Sequence, residues 1–403
     1  MVFLPQKVIS QPTRIFHFNP TCEIAIANGS PYFVPTALLC EFEADLATVM
    51  SVLASQNDLV VCREIPSSRT IEEWKKWNLM NGKFVTLESL TEHTTAHNSG
   101  SFDLQSWGKS PAEANLFKFL NSSHWDDNLK QLFERKTSTD FLNCFLERDD
   151  LPAEIDRSLN QLVICKEAEI EHLLKRQSPI VLKAPLSSSG RGLLVLRKNE
   201  LNNANRQWIK GNLDQQGYLV ASSWLNKKLD LSFQFESDGN GGISYLGHSV
   251  FMTNSNGQYA GHYLNFKLRN KLPIDEKVLT LISEKLGEEL TQSTYSTIYK
   301  GIIGIDTLVY LDEDNKLKIH ACIEINPRYT MGFLSQQIEQ KIHPESYGHY
   351  KIFFDPKGGF QAFAEAEKKI NPPTFADGFI RKGFFNLTPA DKNCKFGAYV
   401  ELF

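Results

Sequence analysis

The 403 residues carry a formal charge of -4, with 41% hydrophobic and 22% charged residues. These are ordinary values for two or three globular domains, and the charge gives no reason to expect nucleic acid or an acidic membrane surface as partner. Seven scattered cysteines lack metal-ligand spacing and read as reduced packing residues. No apolar run approaches the roughly 20 residues of a membrane span, so a soluble cytoplasmic protein is expected.

The chain opens with strand and helix signals in alternation. Arg14–Phe18 reads as a short strand, and within the turn-rich stretch after it Cys22–Ala27 reads as a helical turn presenting Glu23. Glu23 and Asn28 read first as cap and turn residues, and second as substrate contacts near a domain junction. Leu38–Leu53 predicts a helix and Asp58–Cys62 a buried strand, the signature of an open α/β sheet. Phe84–Leu87 is another strand, whereas Glu92–Ser106 reads as a polar loop. Ser110, Pro111 and Glu113 make a capping box for a helix through Leu116 and Leu120. Gly108-Lys109-Ser110 resembles the end of a phosphate-binding loop, but Asp103 stands where that loop needs glycine, which excludes it. A boundary falls between Asn121 and Lys136, followed by a helix over Ser138–Glu147. Strands are expected at Ile180–Lys183, Leu193–Arg197, Tyr218–Trp224, Leu229–Glu236 and Ile243–Phe251. Ile274–Leu290 is an amphipathic helix with Val278, Ile282, Leu286 and Leu290 on one stripe.

Two motifs carry chemistry. The first runs from Lys183 to Gly192 (KAPLSSSGRG) between two strands. A lysine at a strand end can place its ammonium on a phosphate, and the small residues Ser187, Ser188 and Ser189 let backbone N–H groups turn inward around anionic oxygens. Gly190 and Gly192 supply torsional freedom, and Arg191 adds charge toward a terminal phosphate. Alone, such a loop reads equally as a surface hairpin.

The second motif is Gly304–Gly332. Ile305, Thr307 and Val309 share one strand face, and Asp306, Leu308 and Tyr310 the other. After the turn Asp312–Lys316, the return strand sets Leu317, Ile319, Ala321, Ile323 and Ile325 on one apolar face. Lys318, His320, Cys322, Glu324 and Asn326 lie opposite. Glu324, Asn326 and, across the hairpin, Asp306 converge as oxygen donors suited to a hard divalent cation. Arg328 follows Pro327, a cation beside an anionic site. The plainer alternative is a polar-faced hairpin with solvated acids. A phosphate nest and a metal site together, however, are what a nucleoside triphosphate with Mg2+ requires.

Lys183 with SSSGRG, followed by GIDTLVYL and IEINPR, resembles the ATP-grasp superfamily over roughly residues 136–332. The resemblance implies a mixed α/β and α+β chain in which two α+β subdomains, 126–225 and 226–403, clasp ATP behind an N-terminal α/β Rossmann-like domain, 1–125. It implies that Lys136 and Lys183 reach the α- and β-phosphates and that Ser187–Gly192 forms the lid over the β- and γ-phosphates. Asp306, Glu324 and Asn326 would hold Mg2+, or Mn2+ in its place, and Arg328 would steady the transferred phosphoryl group. On the adenine side YLVASSW offers Ser222 in place of the usual acid, with Asp230 as the substitute. His248–His262 resembles the central segment of carboxylate–amine ligases, and His262 and Tyr263 are candidate acceptor contacts. The implied activity is ATP-dependent ligation of a small-molecule carboxylate to an amine, an amino acid or peptide among the candidates. A kinase acting on a hydroxyl and a non-catalytic nucleotide binder are the alternatives, and no residue pattern sets an oligomeric state.

Overall fold

The computed structural model describes residues 12–96, 102–176, 179–187, 192–197 and 201–403. Its N-terminal sheet is parallel. β1 (Thr13–His17), β2 (Leu59–Val61), β3 (Lys83–Val85) and β4 (Phe102–Ser106) lie in the order β3-β2-β1-β4. Helices α1 (Cys22–Asn28), α2 (Ala37–Leu46), α3 (Ser68–Trp77), α4 (Leu87–Ala96) and α5 (Pro111–Leu116) connect and flank them. The expected helix over Leu38–Leu53 divides. Beyond Leu46 the chain tightens into a wholly buried 3-10 segment, Ala47–Val52, where β-branched Thr48, Val49 and Val52 weaken the α-helical preference. Glu92–Ser106 is not a loop as expected. Residues 92–96 complete α4 and 102–106 form edge strand β4, while 97–101 lie outside the described residues. Among its described side chains the short α4 turns Leu90 and Thr94 fully inward, and β4 offers just Phe102 and Leu104 in alternation, so neither leaves a strong periodic signal. The Ser110 hydroxyl caps α5 by accepting from the Glu113 N–H at 3.1 Å, and the helix stops at Leu116, short of Leu120.

A smaller antiparallel sheet follows. After α6 (Lys130–Phe133) and α7 (Arg135–Leu146) come β5 (Leu162–Ile164), α8 (Glu167–Arg176), β6 (Ile180–Lys183), β7 (Leu193–Leu196), α9 (Asn203–Gln216) and β8 (Leu219–Ser223). The strand order is β5-β8-β6-β7. Ile180, Leu182, Leu196 and Leu219 pack against Ile170, Leu174 and Ile209 from the two helices.

The third sheet has nine strands. β9 (Asn226–Asp238), β10 (Ile243–Thr253) and β11 (Tyr259–Leu264) form a meander, then α10 (Glu276–Gln292) and α11 (Tyr295–Ile298) lead to the hairpin β12 (Lys300–Leu311) and β13 (Leu317–Asn326). α12 (Met331–Glu339), β14 (Gly348–Phe354), α13 (Phe360–Ile370), β15 (Thr374–Ala376), β16 (Phe379–Asn386) and β17 (Phe396–Leu402) complete the chain. The order is β13-β12-β9-β10-β11-β14-β17-β16-β15. Alternation along β9 is clean. Leu231, Phe233 and Phe235 join Ile282, Leu286 and Leu290 of α10 in one core, leaving Asp230, Ser232 and Gln234 on the other face. α7 packs across β13, its Ser138 hydroxyl accepting from the Ile325 N–H at 3.0 Å.

The β12–β13 pairing corrects one expectation. Asp306 opposes Glu324, but Leu308 opposes His320, so β13 carries two extra residues in between. The irregularity resets the alternation: Cys322 joins the core and Ile323 turns toward solvent-accessible space, breaking the expected apolar face. Among the described residues no helix is long and apolar enough to cross a membrane.

The parallel sheet and the C-terminal strands share one core. Phe16, Met50 and Trp77 pack with Phe385, Phe396 and Val400, and the Trp74 indole donates to the Asn386 carbonyl at 2.8 Å. Because Trp74 is 1% exposed, Trp74→Ala should cost about 3–5 kcal/mol, and Trp74→Phe, which loses chiefly the hydrogen bond, about 1–3 kcal/mol. Urea unfolding followed by circular dichroism measures both.

Candidate active site

One cleft of about 1050 Å³ runs across the face of the large sheet, roofed by the smaller sheet at one end and by the N-terminal region at the other. The β10–β11 turn reaches over to the smaller sheet. Gly257 lies against Trp224 and Leu193, and the Arg197 guanidinium stacks 5.6 Å from the Trp224 ring. At this end Pro179, Val181, Ser222, Trp224, Leu308 and Ile323 make a half-apolar slot.

The middle of the cleft is charged. Lys183 ends β6, is only 4% exposed, and donates to the Ile323 carbonyl at 3.5 Å. Burial first, and the Arg135 charge second, push its pKa down to about 8. Asp306 and Glu324 face each other across the hairpin. Burial first, and the Glu324 charge second, push the Asp306 carboxyl up to about 7. Its oxygens accept from the Ser232 hydroxyl at 2.8 Å and the Asn326 amide at 3.3 Å. The remaining charges are paired. Arg135 meets Glu324 at 2.8 Å, Lys227 meets Asp230 at 2.6 Å, and Arg328 meets Glu23 of α1 at 2.5 Å. The Arg328 guanidinium also donates to the Asn326 side-chain carbonyl at 2.9 Å. Burial opposes the Arg328 charge, and the Glu23 carboxylate outweighs it, so its pKa rises. Buried Lys183 and partly buried Asp306 are thus the cleft charges left without an ion pair among the described residues. Two cleft groups of opposite sign, each lacking a counter-ion, fit an anion on the lysine side and a cation on the acid side. The donors Asp306, Glu324 and the Asn326 amide oxygen have the hard-oxygen chemistry that Mg2+ prefers.

The expected site residues do not all converge. Lys183, Ser222, Asp230, Asp306, Glu324, Asn326 and Arg328 line the cleft. Ser187 and Gly192 close the neck of the loop, where a side chain on Gly192 would overlap Ser187 and the Ala184 N–H donates to the Gly192 carbonyl at 2.8 Å. Ser188, Ser189, Gly190 and Arg191 lie outside the described residues. Lys136 turns away. As the second residue of α7 it points to solvent and pairs with Asp140 at 2.6 Å. Arg135, one residue earlier, is the buried cation, donating to the Ala184 carbonyl at 2.9 Å and the Ser187 hydroxyl at 3.3 Å. Helix phase carries the missed signal: Arg135, Ser138, Thr139 and Leu142 form the inward stripe of α7. Glu23, expected first as a cap, is instead the buried partner of Arg328. Ile323 was hidden by the irregular pairing. Tyr263 belongs to the opposite face with the α10 core, whereas His262 lines the cleft.

A family model described as L-aspartate–L-methionine ligase, ATP grasp, matches residues 160–324. Among solved structures, the biotin carboxylase domain of the Hydrogenobacter thermophilus 2-oxoglutarate carboxylase, in complex with MgADP, ADP and bicarbonate, aligns with a TM-score of 0.53. The identity is 12%, over 97% of this chain and 86% of that one. Rhizobium etli pyruvate carboxylase aligns with a TM-score of 0.51 and 12% identity, over 97% of this chain and 36% of that one. N5-carboxyaminoimidazole synthetase from Staphylococcus aureus, complexed with ADP, gives 0.49 and 12%, over 98% and 94%. No curated protein sequence matches the chain.

The Asp306 carboxyl generates a pH prediction. Its pKa rises on folding from 3.8 to about 7, so the stability it contributes is complete below the lower value and lost as pH climbs through the upper one. Asp306→Asn should therefore raise Tm over wild type at pH 8, by about 2 °C or more, and give no such gain at pH 4. Millimolar Mg2+ should raise the wild-type Tm at pH 8 and leave the variant unmoved. Differential scanning calorimetry reads both.

Proposed function

We propose that the chain, which matches an ATP-grasp family model over residues 160–324 and has that fold, is an ATP- and Mg2+-dependent ligase joining a carboxylate to an amine. The observation that carries the proposal is the pair of groups without an ion-pair partner among the described residues, buried Lys183 and partly buried Asp306, facing one cleft. The match to a family model described as an L-aspartate–L-methionine ligase supports amino acids as the substrate class.

The slot of Pro179, Val181, Ser222, Trp224 and Ile323 suits a purine ring. Lys183 and Arg135 are placed to bind phosphate oxygens, and Asp306, Glu324 and Asn326 to hold Mg2+, which when bound neutralises charge on the phosphates. The reaction we infer begins when a substrate carboxylate attacks the γ-phosphoryl group, forming an acyl phosphate and releasing ADP. The amine then attacks the acyl carbon, phosphate leaves with the bonding electrons, and the amine's proton passes to solvent. Arg328 holds a permanent positive charge beside the metal donors, oriented from behind by Glu23. Phosphoryl transfer asks of the protein mainly alignment and neutralisation of charge, and this cleft supplies both without a nucleophilic side chain.

Product analysis tests the proposal. Incubation with ATP, Mg2+ and pairs of amino acids should yield ADP, free phosphate and a new amide in equal amounts. A phosphorylated acceptor would make the protein a kinase, and absence of ADP across all pairs would leave a nucleotide binder. Glu324→Gln should lower kcat by about 10²–10³ with an unchanged circular dichroism spectrum. Arg135→Ala should weaken ATP binding by about 10- to 100-fold, whereas Lys136→Ala should change it by less than about 3-fold, as expected for an exposed ion pair. Calorimetric titration with a non-hydrolysable ATP analogue measures this contrast.

A further inference from the structure

Beyond Arg328 the cleft changes character. Thr330, Met331 and Gly332 carry its wall onward from the arginine, and an apolar end opens where α2 of the N-terminal region crosses β17. Leu38, Phe42, Met331, Ile352, Phe354 and Phe396 form it. The Phe354 and Phe396 rings stack 4.7 Å apart, and Phe42 meets Phe396 edge-on at 5.0 Å. Phe354 remains 50% exposed and Leu38 44%, a large cost for apolar groups lining a concave surface.

A second observation at the same end is independent of the aromatic wall. His262 is 2% exposed and lines the cleft. Its Nδ1 lies 2.7 Å from the Tyr259 hydroxyl, and its Nε2 is buried with no hydrogen-bond partner among the described residues. Burial depresses the ring's pKa to about 3, so the imidazole is neutral. The charged side chains lining the cleft, Arg135, Lys183, Lys227, Asp230, Asp306, Glu324 and Arg328, lie toward the middle. A charged substituent placed at the apolar end would be desolvated without a partner. An apolar one would cover Phe354 and Leu38 and gain their burial.

We propose that this end of the cleft is the specificity subsite for one substrate, an amino acid whose uncharged, apolar side chain packs on Phe42, Phe354 and Phe396 while its reacting group stays beside Arg328. His262, held by the Tyr259 hydroxyl, gives that end a polar but uncharged floor. The identity of the reacting groups rests on the ligase reading; the character of the side chain rests on the cleft itself.

The test is calorimetric titration of the full-length protein, saturated with Mg2+ and ADP, with leucine, methionine and phenylalanine, and separately with aspartate, lysine and serine. Phe354→Glu, at a half-exposed position that tolerates charge, should weaken binding of the apolar amino acid by about 10-fold or more while ADP affinity holds, which controls for folding. His262→Ala should weaken it to a smaller degree with the same control. In steady state Phe354→Glu should raise KM for the apolar substrate and leave KM for the other substrate unchanged. Absence of apolar amino acid binding, or binding indifferent to Phe354→Glu, overturns the subsite. If turnover then proceeds with polar pairs, the ligase reading survives that failure. Conversely, apolar amino acid binding that Phe354→Glu abolishes, in a protein that never releases ADP, upholds the subsite and overturns the ligase.

Discussion

The Arg328–Glu23 ion pair is the contact on which the arrangement of the cleft depends. Arg328 leaves the end of β13 beside Asp306, Glu324 and Asn326, and Glu23 sits on the first helix of the parallel sheet, 305 residues away in sequence. Both are buried, so separating them would strand a desolvated charge, which costs several kcal/mol. The pair therefore fixes the N-terminal region against the cleft face of the large sheet. Adjacent contacts reinforce it: the Tyr329 N–H donates to the Trp107 carbonyl at 2.9 Å, and Asn19 bridges both backbone groups of Gly108. Gly108 is required there because a side chain would overlap the Cys22 sulfur.

Around this anchor the cleft divides by chemistry. At one end the smaller sheet and Ile323 offer apolar surface to a flat ring; in the middle lie Lys183 and the Asp306–Glu324 pair; at the far end stand the aromatics of α2, β14 and β17. The two-residue irregularity in β13 is what allows this. It turns Ile323 to the slot and Cys322 to the core while keeping Asp306 opposite Glu324.

Much of this was legible in the residues. The alternation in β9 and the KAPL and IEINPR motifs mark strands of both antiparallel sheets, and Asp306, Glu324 and Asn326 were readable as convergent donors because register follows from period-two patterning. The failures have physical causes. Lys136 and Arg135 are adjacent cations, and only the phase of α7 decides which one is buried. The irregular pairing in β13 depends on β12, so strand periodicity alone put Ile323 on the wrong face. Glu23 acquires its role from a partner remote in sequence, which no local pattern encodes. The polar α4 and the two-residue alternation of β4 gave too weak a signal to separate from loop.

The floor of the cleft is a row of strand neighbours in continuous register. Leu308 opposes Asp230, Asp230 opposes Phe251, Phe251 opposes His262, and His262 opposes Tyr350. A ladder cross-linked in this way resists bending, because each ångström of flexure would strain hydrogen bonds on both sides of every strand. Entry and escape of a nucleotide must then be accommodated overhead. The smaller sheet meets that floor through Trp224 over Gly257, and through the Gln161 and Lys183 side chains, which donate to carbonyls of β13. Such a ladder leaves the bed stiff and any adjustment to its cover.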